Sequence, residues 1–203
     1  MHTFHEPEFY EQPARDVARA LLGQRIVHII NEQRISGYLL ETEAYDGESD
    51  GACHAHSGKT ARNAPLYGPP GFSYVYFTYG IHWLLNVVVR PKNEPAGVLF
   101  RAIYPDEGLE IIHANRAGQK RKDWCNGPAK LTRALAVDRK QNLSPLYDSK
   151  SPLHIEPGIT VPDRLVRTSP RIGVDYAPEP WKSIEWRFFV NDKDFQSLLE
   201  EKK

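Results

Sequence analysis

The run Glu41-Thr42-Glu43-Ala44-Tyr45 sets two carboxylates and a phenol at alternate positions. In an extended strand alternate residues share a face, so all three point the same way. A carboxylate at a strand end, about to enter a loop, can act as a general base that polarises a water. Strand-end acids are also commonly solvated, and spacing alone leaves both readings open. Downstream stands Cys53-His54-Ala55-His56. Two imidazoles and a thiol near acids could hold zinc, but structural zinc sites draw on paired ligand clusters and no second cluster follows. No metal is assigned, and a histidine ring used for stacking or hydrogen bonding is the reading kept. The third cluster, Ser73 to Asn86, carries Tyr74, Tyr76, Phe77 and Tyr79 before Gly80. Tyr79 beside a turning glycine is not a core position. A rigid hairpin with an aromatic tip is what a protein needs to fill a vacated base step in duplex DNA.

These residues need elements to hold them. Pro13 to Leu22 reads as a helix, with proline suiting its start and Gly23 its stop. Gln24–Ile30 and Arg34–Tyr45 read as strands around the turn Asn31-Glu32-Gln33. Glycines and prolines from Gly47 to Gly71 predict an ordered loop without an element. Phe72–Tyr79 and Ile81–Val89 predict a hairpin, and Gly97–Tyr104 a further strand. Pro105 is expected to lead into a helix around Gly108–Arg116, and Gly127-Pro128 to open another. Strands are expected around Arg171–Val174 and Trp186–Val190. This order lacks regular strand–helix alternation. It predicts an α+β (mixed α/β) fold: a single compact domain over residues 1–203, with β-hairpins around a curved sheet, flanking helices and peripheral ends at 1–10 and 192–203.

At 203 residues, with 26% charged and 40% hydrophobic residues, the composition is that of an ordinary globular domain and excludes disorder along the whole chain. No apolar run approaches the ~18 residues of a membrane span. Met1 to Glu6 has neither the basic nor the apolar region of a signal peptide. Two cysteines, Cys53 and Cys125, exclude a disulfide scaffold and fit a reduced, cytoplasmic protein. Lysine plus arginine equals aspartate plus glutamate, 26 each. The charges are not evenly spread. Arg116 to Lys140 holds eight bases against Asp123 and Asp138, a local +6, whereas Glu41 to Asp50 holds five acids and no base. A basic stretch near an acidic pocket can hold a polyanion while placing a carboxylate at one reactive spot; a solvated loop and helix face fits the counts equally.

Taken together the motifs resemble the alkyladenine (3-methyladenine, or methylpurine) DNA glycosylases. The matching segments are Leu40 to Tyr45, Ala52-Cys53-His54, Arg62-Asn63, Pro70-Gly71, Tyr74-Val75-Tyr76 with Tyr79-Gly80, Asn86-Val87, Val98 to Ala102, and Gly127 to Leu131. They keep the family's order and nearly its spacing, from about Leu21 to Val190, most densely between Tyr38 and Val137. The resemblance implies that Glu43 is the base on the attacking water, which Arg101 and a backbone carbonyl near Ile172 help to hold. It implies that Tyr45, His54 and Tyr76 wall a flipped base, that Leu99 is a further wall, and that Asn86 clashes with the amine of guanine. Tyr79 would enter the DNA stack through the minor groove, and Lys130, with the helix start at Gly127, would meet the phosphate backbone. Cys53 stands where the family often has a small residue, His56 adds a second imidazole, and the C-terminal third matches loosely.

The implied function is a monofunctional glycosylase that initiates base excision repair without a cofactor. It would act as a monomer on double-stranded DNA containing damaged purines, with no membrane partner. Two other readings use the same pocket: a lesion-binding protein that flips a base without cutting, and a hydrolase of free nucleosides. Glu43 with Arg101 argues against the first, the Tyr79 hairpin and the local +6 against the second.

Overall fold

The computed structural model describes residues 6–201. Eight strands form one curled antiparallel sheet: β1 (Arg25–Ile30), β2 (Gln33–Tyr45), β3 (Ser73–Thr78), β4 (His82–Val89), β5 (Ala96–Glu107), β6 (Leu153–Glu156), β7 (Arg167–Ser169) and β8 (Arg187–Phe189). Four helices flank it: α1 (Ala14–Ala20), α2 (Leu109–Asn115), α3 (Pro128–Ala134) and α4 (Asp192–Glu201). The sheet order is β3-β4-β5-β2-β1-β6, with β8 pairing β2 and β7 pairing β8. The fold is the mixed α+β single domain expected.

β2 is the spine. Along one edge it pairs with β5; along the other its first half pairs with β1 and its second half with β8, at Glu41–Glu43. Its alternation separates two environments. Leu40 and Ala44 belong to the main core, and the Thr42 hydroxyl donates to the Ala18 carbonyl of α1 at 2.8 Å. Glu41, Glu43 and Tyr45 face away from that helix, as period two requires. Burial of the apolar stripe of α1, with Val17, Ala18 and Leu21 fully enclosed, fixes which face of β2 is which.

Several expectations need correction. Helix α2 falls within the expected Gly108–Arg116, but the strand expected to end at Tyr104 runs on through Pro105 to Glu107, where the proline sits beside a register irregularity. The Gly47–Gly71 loop contains one 3-10 turn, Ala64–Tyr67. Arg171–Val174 is not a strand: the strand is Arg167–Ser169, and Pro170 and a left-handed Gly173 (φ 81°) turn the following segment across the sheet. β6 and α4 were not anticipated. Nor are the ends peripheral. Phe9 and Tyr10, in the 3-10 turn Pro7–Glu11, are buried in the main core, and so are Phe195 and Leu198, where α4 lays Phe195 against Tyr38 and Tyr104. Residues 1–5 and 202–203 of those ends lie outside the described residues.

Candidate active site

Cross-strand register, rather than sequence proximity, assembles the site. Glu43 on β2 pairs with Leu99 on β5, Leu99 with Asn86 on β4, and Asn86 with Tyr74 on β3. Directly paired residues share a face, so this row and its alternate neighbours Tyr45, Arg101, Leu84 and Tyr76 lie on one side of the sheet. All of these except Glu43 line a cavity of about 360 Å³, together with Ala52, Cys53, His54, Tyr79, Ile172 and Tyr176. Gly97, opposite Tyr45, also lines it. A side chain at Gly97 would press on Leu66 and claim part of that space.

Glu43 lies fully enclosed beside this cavity. Its Oε1 accepts the Ile172 amide at 2.7 Å, and its Oε2 accepts the Tyr45 hydroxyl at 2.9 Å and Arg101 Nη1 at 3.3 Å. Burial pushes the carboxyl above its ordinary range, against the Arg101 charge and the hydrogen bonds from Ile172 and Tyr45. The segment expected to supply a water-holding backbone carbonyl thus meets the carboxylate through the Ile172 amide. Burial, reinforced by the Glu43 charge, also raises the Tyr45 hydroxyl, which stays a donor. Arg101 is held on its other side by Glu41, which accepts its Nε at 2.7 Å and Arg187 Nε at 2.7 Å.

His54 and Tyr76 meet edge to face with centroids 4.6 Å apart, and Tyr74 stacks on Tyr76 at 5.1 Å. His54 Nδ1 lies 3.1 Å from the Tyr74 hydroxyl, and burial followed by the Arg62 charge pushes the imidazole down, toward its neutral form. Asn86 Nδ2 donates to the Tyr74 carbonyl at 3.1 Å, which locks the amide in the wall. Burial pushes the Cys53 thiol up to about 11, and His56 Nδ1 turns to the Glu48 carbonyl instead of the cavity. Among the described residues no three His, Cys, Asp or Glu side chains gather as metal ligands.

Tyr79 stands at the tip between β3 and β4. It is 87% exposed and, like Gly80, left-handed (φ 51° and 69°). A bulky residue at positive φ is strained, and an exposed aromatic gains little from burial. Lys130, in the first turn of α3, is half-buried and donates to Asn126 Oδ1 at 2.7 Å. The basic stretch is less uniform than its count: Arg116 is buried on the Asp123 carbonyl, while Lys120, Arg121, Lys122, Arg133, Arg139 and Lys140 are exposed. The acidic run is not an open negative patch either. Glu41 pairs with Arg101 and Arg187, Asp46 with Arg90, and Asp50 with Arg171. Sequence reasoning overlooked Arg171, Asp50 and Tyr176. Their one visible signal was five acids without a nearby base, which in a buried setting demand distant cations.

The arrangement can hold one flat aromatic group among Tyr45, His54 and Tyr76 above a desolvated carboxylate flanked by a guanidinium. The sequence matches the family model of methylpurine-DNA glycosylases over residues 8–194. It is 39% identical to a protein of Prosthecochloris aestuarii over 94% of this chain and 89% of the relative. It is 40% identical to one of Bacillus licheniformis over 97% and 100%, and 42% identical to one of Methanocella arvoryzae over 90% of each. All three relatives carry the name "Putative 3-methyladenine DNA glycosylase".

Proposed function

The chain belongs to the methylpurine-DNA glycosylase family, a family of N-glycosyl hydrolases acting on DNA, and we propose that it works by flipping an alkylated or deaminated purine out of the duplex and leaving an abasic site. The observation that carries this reading is Glu43: a fully buried carboxylate beside an aromatic-walled cavity, with two donors and a cation converging on it. The flipped base enters between Tyr45 and the His54–Tyr76 pair, with Leu99 beneath and Asn86 selecting against guanine. Glu43 takes the proton of a water as its oxygen bonds to the anomeric carbon, the N-glycosidic bond breaks with its electron pair to the purine, and Arg101 orients the carboxylate. A cationic purine leaves neutral, and a neutral one gains a proton from solvent. Positive charge grows on the sugar as the bond lengthens, so the carboxylate also stabilises the transition state electrostatically. The groups on Glu43 are a guanidinium, a phenol and an amide, with no lysine to form a Schiff base, so strand cleavage is not part of the reaction. Tyr79 fills the space that the base vacates, a use consistent with strain and exposure at one residue. The enzyme acts as a monomer.

Release of free base from duplexes bearing one hypoxanthine, ethenoadenine, 3-methyladenine or 7-methylguanine tests the reading. Release from at least one, and none from undamaged duplex, is expected. Binding without release would mean lesion recognition alone, and faster release from free nucleosides than from duplex would mean a nucleoside hydrolase. For a neutral lesion the rate should fall with acid as Glu43 takes up its proton. Burial sets that midpoint above the ~4 of a solvated carboxylate, and a midpoint at or below ~4 would remove Glu43 from the base role.

Binding should weaken with salt although the whole chain is neutral, because exposed bases displace counterions locally. Lys130 uses one of its three donors on Asn126 and keeps two for a phosphate oxygen. Lys130→Ala should therefore reduce the slope of log affinity against log salt by about one unit. An unchanged slope would place Lys130 off the DNA.

A further inference from the structure

One ion pair among the described residues has both side chains fully sealed from solvent, and the mechanism above does not use it: Arg171 with Asp50. Arg171 Nη1 donates to Asp50 Oδ2 at 2.5 Å and Nη2 to Asp50 Oδ1 at 2.9 Å, a bidentate fork. The guanidinium also donates to the carbonyls of Ala44 at 2.9 Å and Trp181 at 3.0 Å, and its Cζ lies 4.7 Å from the centre of the Tyr45 ring. Asp50 accepts in addition the amides of Asp46 and Ala52, so it closes the loop that leads into the His54 wall.

Two of these contacts, to Ala44 and Tyr45, end next to Glu43. Ala44 follows it in the chain, Tyr45 donates to its Oε2, and Ile172, the residue after Arg171, donates to its Oε1. As a fold staple alone the pair is a poor choice, since a packed apolar pair can stabilise as well without desolvating two charges. A charge is needed here only if something nearby responds to it.

We propose that Arg171, clamped by Asp50, is a positioning residue for base excision: it fixes the Tyr45 wall and the Ile172 amide around Glu43 and provides a second cation beside that carboxylate. This rests on Glu43 serving as the base. The charged and titratable groups facing Glu43 are Glu41 and Tyr45 from β2, Arg101 from β5, Tyr76 from β3 and Arg171 from the turn after β7. Arg187 of β8, opposite in register, is taken up by Glu41. Arg171 is thus the one cation of the set besides Arg101, and Asp50 partly cancels it.

The two partners should act on Glu43 with opposite sign, which damage to the fold cannot imitate. The test is the pH profile of single-turnover hypoxanthine excision from duplex DNA. Arg171→Gln should move the acid limb to higher pH by about one unit and lower the plateau about tenfold or more. Asp50→Asn leaves Arg171 uncancelled and should move the limb to lower pH. Arg171→Lys, which keeps the charge and loses the fork, should keep the wild-type limb at a reduced plateau. The double variant Asp50→Asn/Arg171→Gln leaves no lone buried charge and decides the matter where a single variant fails to fold. With the nearer group to Glu43 gone, its limb should move up and its plateau fall. Limbs that move together in the single variants, or a folded double variant with wild-type profile and plateau, would overturn the proposal. A wild-type enzyme that releases no base from any lesion would sink the glycosylase mechanism instead, so the two failures are distinct.

Discussion

Glu43→Gln is expected to slow single-turnover release of hypoxanthine from duplex DNA by about 10²–10⁴-fold, the usual contribution of a positioned general base, with lesion binding nearly unchanged. The amide keeps the volume of the carboxyl and one acceptor for the Ile172 N–H, so the pocket keeps its shape. Its nitrogen would face Arg101 Nη1 and the Tyr45 hydroxyl. The phenol can turn its lone pair to that nitrogen; the guanidinium cannot. The variant should therefore melt lower than wild type, because removing one partner of a buried charge pair leaves the other uncompensated. Rates measured on folded protein separate the two effects. The acid limb of the wild-type profile should vanish in the variant, since the titrating group is gone. Substantial remaining turnover, or a limb that persists, would move the base role elsewhere. A cationic lesion such as 3-methyladenine departs with little help and is the weaker test.

Tyr79→Ala is expected to cost about tenfold or more in excision of hypoxanthine paired in a duplex, less opposite a mismatch and least in single-stranded DNA. An aromatic ring stacked on a base is worth about 1–3 kcal/mol. Flipping costs a few kcal/mol of lost stacking and pairing, least where the pair is already disrupted. A ring in the vacated step offsets part of that cost and slows the base's return. Equal losses in all three settings would make Tyr79 a structural residue of the hairpin. The left-handed backbone supplies the control: Tyr79→Gly removes the same ring at a position where glycine is unstrained. It should match Tyr79→Ala in its excision defect and melt no lower than wild type. A glycine variant with wild-type excision would exclude a wedge.

Glu43, Tyr45 and Tyr79 carried local signals, whereas Arg101, Leu99 and Asn86 were named only by the family resemblance. Period-two alternation put Glu41, Glu43 and Tyr45 on one face whatever the strand paired with, and Gly80 marked a tip at which Tyr79 could not be core. Strand and turn geometry are set within a few residues by sterics and hydrogen bonding, so sequence alone determines them. What surrounds Glu43 was not local. Besides Tyr45 its donors come from β5 and from a turn well over a hundred residues downstream, and the segment Arg171–Val174 read as a strand because nothing nearby reveals a buried partner. The run from Glu41 to Asp50 likewise reads as an open acidic patch until distant strands and turns deliver Arg90, Arg101, Arg171 and Arg187 to it. Whether a carboxylate is solvated, paired or held above its ordinary range depends on desolvation and on charges a few ångströms away. Those distances are set by packing across the sheet, which the tertiary structure alone decides.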